Sequence, residues 1–392
     1  MQRRAFVRLL GGGAILAAGA AGGWSWAKAR IFPVPPGAIA PWAAAAQETE
    51  PRRFALAHAI LAPNSHNLQP WRADLSVPGE IGISLDPARM LPETDPFNRQ
   101  ITMGLGTFLE TLEMAARARA HRPETTLFPE GVPGARLDGR RLATVRLSED
   151  PDARTDALFA EVTRRRTDRR AYDPSRPVTP AEAEALAAAA RPGGRLRAGA
   201  AIEPSQVAAI RAIARAAWVQ ELATERTFME SARVLRIGTS EIDRHRDGIV
   251  IDAPFLVMLE RTGLFDRTVY PGAESMAIRG QIEEFDATAE STPAYLWIVT
   301  EGNDRATQVE AGRAYMRMAL AASGLGLALH PNQQALQEYA EVAAQYARIH
   351  TVLDAPRPDH TVQMLARLGR LPRGADAAPP APRRGLRAHL TG

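Results

Sequence analysis

A strand-like run, a long amphipathic helix and a more distant strand occur twice in this 392-residue chain, and that doubling limits the folds available to it. The first copy has alternating stretches at 71–77 (WRADLSV) and 80–86 (EIGISLD). A segment over 99–117 then sets Ile101, Leu105, Phe108, Leu109, Leu112 and Ala116 on one helical face, and LATVRLS follows at 142–148. The second copy opens with AYLWIV at 294–299, which reads as a buried strand. It continues with a helix carrying Val309, Gly312, Tyr315, Met316, Ala319 and Leu320 on one face, and closes with TVQMLARLG at 361–369, alternating as a half-buried strand does. Few residues are shared between the copies, so the repeat is one of pattern. It predicts an α+β fold of two related halves, 51–150 and 155–392, the second enlarged at about 246–290.

Apolar residues make up 45% of the chain, enough for one large domain or two ordinary ones. The formal charge of +4 is local: residues 1–29 hold Arg3, Arg4, Arg8 and Lys28 and no acid, and the remainder is neutral. A balanced remainder argues against a nucleic-acid partner, which calls for a basic surface. Lys28 is the only lysine, so any anion gripped farther along must be gripped by arginine. With no cysteine, disulfides, iron–sulfur clusters and thiol nucleophiles are all excluded, which is compatible with an oxidising compartment. The eight histidines show no metal-ligand spacing, and no metal is expected.

The chain starts MQRRAFVRLLGGGAILAAGAAGGW, a charged region before a weakly hydrophobic Gly/Ala-rich run. Arg3-Arg4-x-Phe6 resembles a twin-arginine export signal over residues 1–30, with a Pro- and Ala-rich linker over 31–50. The alternatives are an uncleaved anchor helix or an amphipathic N-terminus. Residues 27–29 or 43–46 are the candidate cleavage sites. Gly11, Gly12 and Gly13 are no phosphate loop, because no Lys-Ser/Thr follows. Export by that machinery implies a periplasmic protein with no membrane span after processing. Because the route carries proteins already folded, it also points to a bound cofactor.

Two polar clusters carry the chemistry. APNSHNLQPWR at 62–72 packs turn-forming donors and acceptors between apolar segments; it reads either as a plain helix-to-strand connection or as a site. RRRTDRRAYDP at 164–174 has five arginines within 164–170, which repel one another unless an anion sits among them. The bland reading is a solvated basic helix end paired with Asp168 and Asp173. In an extended segment Arg166, Asp168 and Arg170 share one side, and Arg165, Thr167 and Arg169 the other.

Together the clusters resemble the nitroreductase family of FMN-binding oxidoreductases. That family has an Arg-x-Ser-x-Arg/Lys-x-Phe segment for the flavin phosphate and pyrimidine edge, a Pro-Ser-x-x-Asn-x-Gln-Pro-Trp loop, and a helix ending in Gly-Leu-Gly. The counterparts here are 166–172, 63–71 and AASGLGLALHPN at 321–332, with APRRGL at 381–386 resembling the basic pair that completes the phosphate site. The order departs from the pattern, since the loop precedes the arginines by about a hundred residues. The first half lacks an arginine segment and the second lacks the loop. Such complementary losses resemble the internally duplicated, dormancy-associated branch, in which one chain imitates a dimer and keeps one flavin site.

The resemblance implies that Arg166, Arg170 and Arg383 neutralise the phosphate and the charge that develops near N1/O2 of FMN. Either Thr167 or Asp168 falls at the family serine. Pro63, Asn64, Ser65 and Asn67 would meet the ribityl chain and phosphate, and the backbone at His330 and Pro331 would lie near N5. The His330 side chain reads as an ordinary helix-end histidine rather than as a proton donor. No catalytic side chain is implied, because the cofactor supplies the chemistry. The expected activity is reduction of a small-molecule electron acceptor, a nitroaromatic or quinone. The alternative is an exported flavin-sequestering protein whose insert at 246–290 covers the flavin. A non-flavin transport or interaction protein is the third reading.

Overall fold

The computed structural model describes residues 34–251 and 254–391. The expected signal at 1–30 lies outside the described residues. Two helices come first, α1 (Pro36–Ala44) and α2 (Pro51–Ala59). They lead to strands β1 (Trp71–Asp74) and β2 (Glu80–Leu85), the long helix α3 (Arg99–Arg117), and strands β3 (His121–Leu127) and β4 (Ala143–Glu149). The second half begins with α4 (Pro180–Ala189), β5 (Leu196–Ala201), α5 (Pro204–Ala223) and α6 (Glu225–Arg233). Then come β6 (Leu235–Ile237), α7 (Gly238–His245), β7 (Ile249–Ile251), α8 (Pro254–Arg261) and α9 (Met276–Glu290). It ends with β8 (Ala294–Glu301), α10 (Arg305–Gly324), β9 (Ala328–Pro331), α11 (Ala343–Val352), β10 (His360–Gly369) and β11 (Leu390–Thr391). Among the described residues no helix is long and apolar enough to cross a membrane.

The two sheets repeat one another. The first runs β11-β1-β2-β4-β3 and the second β5-β8-β10-β9. Leaving β11 aside, every neighbouring pair in both is antiparallel. In chain order β1, β2, α3, β3, β4 therefore match β5, β8, α10, β9, β10. The strands of the repeated sequence pattern fall at matching places in the two sheets, with strands β3, β5 and β9 added to those the pattern suggested. β3 is an edge strand whose sequence, HRPETTL, buries none of its side chains fully, so it carries no apolar signal.

Helices α3 and α10 cross at glycine. A Cβ on Gly106 would overlap the Val309 carbonyl oxygen, and one on Gly312 would overlap that of Met103. Gly106 is the eighth residue from Arg99 and Gly312 the eighth from Arg305, so the two helices meet at equivalent positions. Buried ion pairs flank the crossing: Arg313 and Arg317 reach Glu110 at 3.2 and 3.0 Å, and Arg313 reaches Glu113 at 2.6 Å. One apolar cluster fills the first half around Trp71, Ile81, Phe108 and Leu112 and takes in Met316 and Leu320 of α10. Two others lie on either face of the second sheet.

Residues 31–50, expected as a linker, are a correction. From Pro36 onward they form α1 and a short 3-10 turn, with Ala38 and Trp42 buried. Proline at the first helical position loses no hydrogen bond, so a composition that suggests a linker suits a helix start. The insert at 246–290 folds as β7, α8 and α9, with Trp218 of α5 stacked on Phe285 of α9. After β10 the chain returns to the first half, where β11 pairs in parallel with β1 (Ala73 opposite Leu390).

Candidate functional site

Helix α2 ends at Ala59, and the carbonyls just beyond it face into protein, where unpaired acceptors are costly. Arg383, from the returning C-terminal segment, answers them. Its Nε donates to Ile60 O at 2.7 Å and its Nη2 to Leu61 O at 2.8 Å and Ala62 O at 3.2 Å. Its Nη1 donates to Asn67 Oδ1 at 2.7 Å. A guanidinium at a helix C-terminus is also favoured by the helix dipole. Arg383 is thus occupied with the loop, which corrects the expected phosphate contact.

The loop at 63–69 is shaped by its own amides. Asn64 Oδ1 accepts from Gln69 N at 2.8 Å, Asn67 Nδ2 donates to Pro382 O at 3.1 Å, and buried Gln69 donates to Arg246 O at 2.9 Å. Pro63 O accepts from Thr107 Oγ1 of α3. These ties hold His66, Asn67 and Gln69 at positive φ (47°, 54° and 51°), a conformation asparagine tolerates better than most residues. Asn64 and Asn67 therefore set the loop's shape. The Ser65 hydroxyl has no partner among the described residues, and His66 Nδ1 is buried without one.

The arginine segment lies against the residues that lead into this loop. Arg165 is buried, its Nη2 3.5 Å from Leu61 O and its Nε without a partner. Arg166 lies 4.7 Å above the Trp42 indole, and Arg383 stacks on the same ring at 5.1 Å. Burial, reinforced by Arg165 and Arg166, brings the Arg383 pKa down to about 9, and burial brings Arg165 to about 10. Arg169 is exposed, and the protein around it lowers its pKa by desolvation. None of Arg165, Arg166, Arg169 and Arg383 forms an ion pair among the described residues.

Arg170 is different. It holds the Asp168 carboxylate at 2.9 and 2.6 Å and donates to Asp376 O, so its charge is already neutralised and it does not offer the expected phosphate contact. Asp168 is buried in that pair, leaving Thr167 exposed beside Leu329 of β9. Of the two residues that could stand at the family serine, Thr167 is the one whose side chain is accessible.

His330 and Pro331 sit on β9, not at a helix end, and His330 pairs with Arg367 of β10 in the ladder. Burial first, then Arg169 and Arg367, hold its imidazole well below the ordinary range, so it is neutral. Sequence reasoning missed Arg169, His66 and Ser231 of α6, whose Oγ is 3.4 Å from His66 Nε2. Arg169 and His66 lay inside the clusters already singled out; Ser231 stands in an unremarkable helix. Cations without carboxylates beside a polar loop can bind an anion such as a phosphate monoester, with polar atoms left over for what it carries.

No family model matches the chain. Two Mycobacterium tuberculosis proteins, from strains CDC 1551 and H37Rv, carry the provisional name NAD(P)H nitroreductase. Each is 30% identical over 349 residues, 86% of this chain and 90% of theirs. Among solved structures, an FMN-bound nitroreductase from Bacteroides fragilis aligns with 59% of this chain and 97% of its own, at 17% identity and a TM-score of 0.35. An FMN- and NADPH-dependent nitroreductase from sphigopyxis sp. strain HMH aligns with 60% and 99%, at 17% identity and 0.38.

Proposed function

The chain belongs to the nitroreductase family, and from that premise we propose that it is an FMN-dependent oxidoreductase reducing an electron-poor small molecule such as a nitroaromatic or quinone. The observation that carries this reading is a group of arginines without carboxylate partners, Arg165, Arg166 and Arg383, gathered around Trp42 and the residues that lead into the polar loop. Arg165, Arg166 and Arg169 would hold the phosphate, with the Thr167 hydroxyl beside them. Ser65 and the loop backbone, held open by Asn64, Asn67 and Arg383, would meet the ribityl chain. The His330 and Pro331 backbone would face the ring. When bound, FMN supplies the hydride chemistry, and the protein supplies position and charge.

The repeated topology and the division of the site between halves support a fused pseudo-dimer holding one FMN per chain. The Arg3-Arg4 signal supports twin-arginine export to the periplasm. A second reading, flavin sequestration under the insert, is favoured by contacts at both ends of that insert. Gly248 N donates to Asn67 O at 3.2 Å, and Arg367 donates to Thr288 O at 2.7 Å.

The test is FMN titration by fluorescence quenching with the molar mass of the loaded species measured. One FMN on a species of 42.5 kDa is expected for the unprocessed chain; loading only in dimers overturns the fusion, and no uptake overturns the cofactor assignment. Stopped-flow reduction with NADPH then separates turnover from sequestration. Fast reduction of the intact protein removes the lid, whereas slow reduction that speeds up on deleting 260–280 supports it.

A further inference from the structure

We propose that Trp42 of helix α1 is a positioning residue for the anion site: its indole seats Arg166 without neutralising it, and so keeps that cation in place for the phosphate of FMN. The proposal rests on the oxidoreductase reading above, in which Arg166 is one of the arginines that hold the phosphate. Arg166 lies 4.7 Å above the ring and Arg383 stacks on the same ring at 5.1 Å, both within the reach of a cation–π contact. Arg166 Nη1 donates to Thr163 O at 2.7 Å and to Arg165 O at 2.9 Å. Its Nε and Nη2 have no partner among the described residues, so these donors are free for a ligand.

The ring is itself held fast. Trp42 is buried, and its Nε1 donates to Ala381 O at 2.8 Å. One turn earlier on α1, Ala38 O accepts from Arg383 N at 2.8 Å, so the returning C-terminal segment grips the helix twice. Ala38 also packs with Val34 and with Ile242 of α7, which ties α1 to the enlarged second half. Arg383 is anchored in turn by the Ile60, Leu61 and Ala62 carbonyls at 2.7, 2.8 and 3.2 Å. The frame thus runs from those carbonyls through Arg383 and the indole to Arg166.

A ring suits such a seat better than a carboxylate does. Arg165 and Arg166 repel Arg383, adding to the burial that lowers its pKa. A carboxylate would relieve that repulsion, but it would also occupy the donors that a phosphate uses. Arg170 shows this outcome, since Asp168 takes its Nε and Nη2 at 2.9 and 2.6 Å. A π face attracts a guanidinium through its quadrupole and leaves the in-plane N–H groups unused. Arg166 is half-buried, where solvent screens that attraction less than at an exposed site. Trp42 also belongs to the apolar cluster of the first half, a role that any large apolar side chain could fill. Holding two guanidinium groups is a role that leucine could not fill.

The test uses the full chain and measures Kd for FMN and for riboflavin, which lacks the phosphate, by flavin fluorescence. Trp42→Leu, which keeps apolar bulk, should weaken FMN binding about tenfold and riboflavin binding less than about twofold. Trp42→Phe, which keeps a π face, should stay within about threefold of wild type for FMN. In an Arg166→Ala background, Trp42→Leu should cost FMN no more than about a further twofold, because the ring acts through Arg166. Equal losses of FMN and riboflavin in Trp42→Leu would mean a packing role only and overturn the proposal. A Phe variant as weak as the Leu variant, or losses that multiply in the double variant, overturn it too. Circular dichroism confirms that each variant folds, and Trp42→Met replaces Trp42→Leu if the latter does not. Normal uptake by wild type with an unchanged FMN-to-riboflavin ratio in Trp42→Leu defeats the seat alone. Absent FMN uptake by wild type defeats the cofactor reading, and the seat is then judged with inorganic phosphate. That ion should raise the Tm of wild type and leave that of Trp42→Leu unmoved, and equal shifts overturn the seat.

Discussion

Helices α3 and α10 start alike and stand in unlike surroundings. Each begins with a buried arginine, Arg99 or Arg305, and reaches its glycine at the eighth position. Helix α3 packs against α2, β3 and the polar loop; α10 packs against α4, the turn at Ala157–Glu161 and strands β8 to β10. Charge is divided as well: at the crossing Glu110 and Glu113 belong to α3, and Arg313 and Arg317 to α10. The crossing needs the same backbone approach from both helices, whereas a single site needs only one loop and one cation segment. Two sheets of matching topology can therefore keep the first in common and share out the second.

The largest effect expected is at the crossing. Gly106→Val and Gly312→Val each drive side-chain atoms into the partner's main chain, which cannot retreat without separating the sheets. Each should cost more than about 4 kcal/mol in urea denaturation, beyond the ordinary range for overpacking. A large cost at one glycine and a small one at the other would break the equivalence of the helices.

Next comes the division of charge. Burial pulls the Glu113 carboxyl up, but the charge and hydrogen bond of Arg313 more than offset it, so its pKa lies below the ordinary 4.5. A lowered carboxyl contributes stability that is present above 4.5 and is lost as pH falls through the folded-state value. Glu113→Gln should cost about 3 kcal/mol at neutral pH, with a flatter acid limb in stability-versus-pH curves. A steep limb retained in the variant would place the acid sensitivity elsewhere.

The smallest effects separate neighbours in the arginine segment. Arg169→Ala should weaken FMN binding by about 1.5–3 kcal/mol, the range for a hydrogen bond to a charged group. Arg170→Ala, removing a cation already paired with Asp168, should change it by less than about 1 kcal/mol. Titration of both variants with FMN and riboflavin checks this, since riboflavin lacks the phosphate. Equal losses at the two positions would mean that Asp168 releases Arg170 when the ligand enters.

Much of this was legible in the chain. Helix α3 lies where the spacing of Ile101, Leu105, Phe108 and Leu112 put it, because an amphipathic helix declares itself within one turn of its own residues. The loop at 63–69 and the arginines at 165–169 were conspicuous because turn-forming polar groups and repelling cations are unfavourable without a purpose. β5, with the sequence LRAGAA, was not legible, since small residues give no alternation. Nor was the use of Arg383 or the place of Trp42, each of which depends on carbonyls more than 300 positions away. Long-range partners leave no periodicity behind.

The parallel pairing of β11 with β1 bears on how the protein is made. Synthesis is vectorial, and domains tend to fold as they emerge. The first sheet can form early, but its outer edge and the carbonyls after α2 must wait for Arg383 and Leu390 to leave the ribosome. Until then the loop at 63–69 lacks its clamp. On the proposed assignment of the site, ligand capture waits until the finished chain has left the ribosome, and a C-terminally clipped chain is expected to purify colourless.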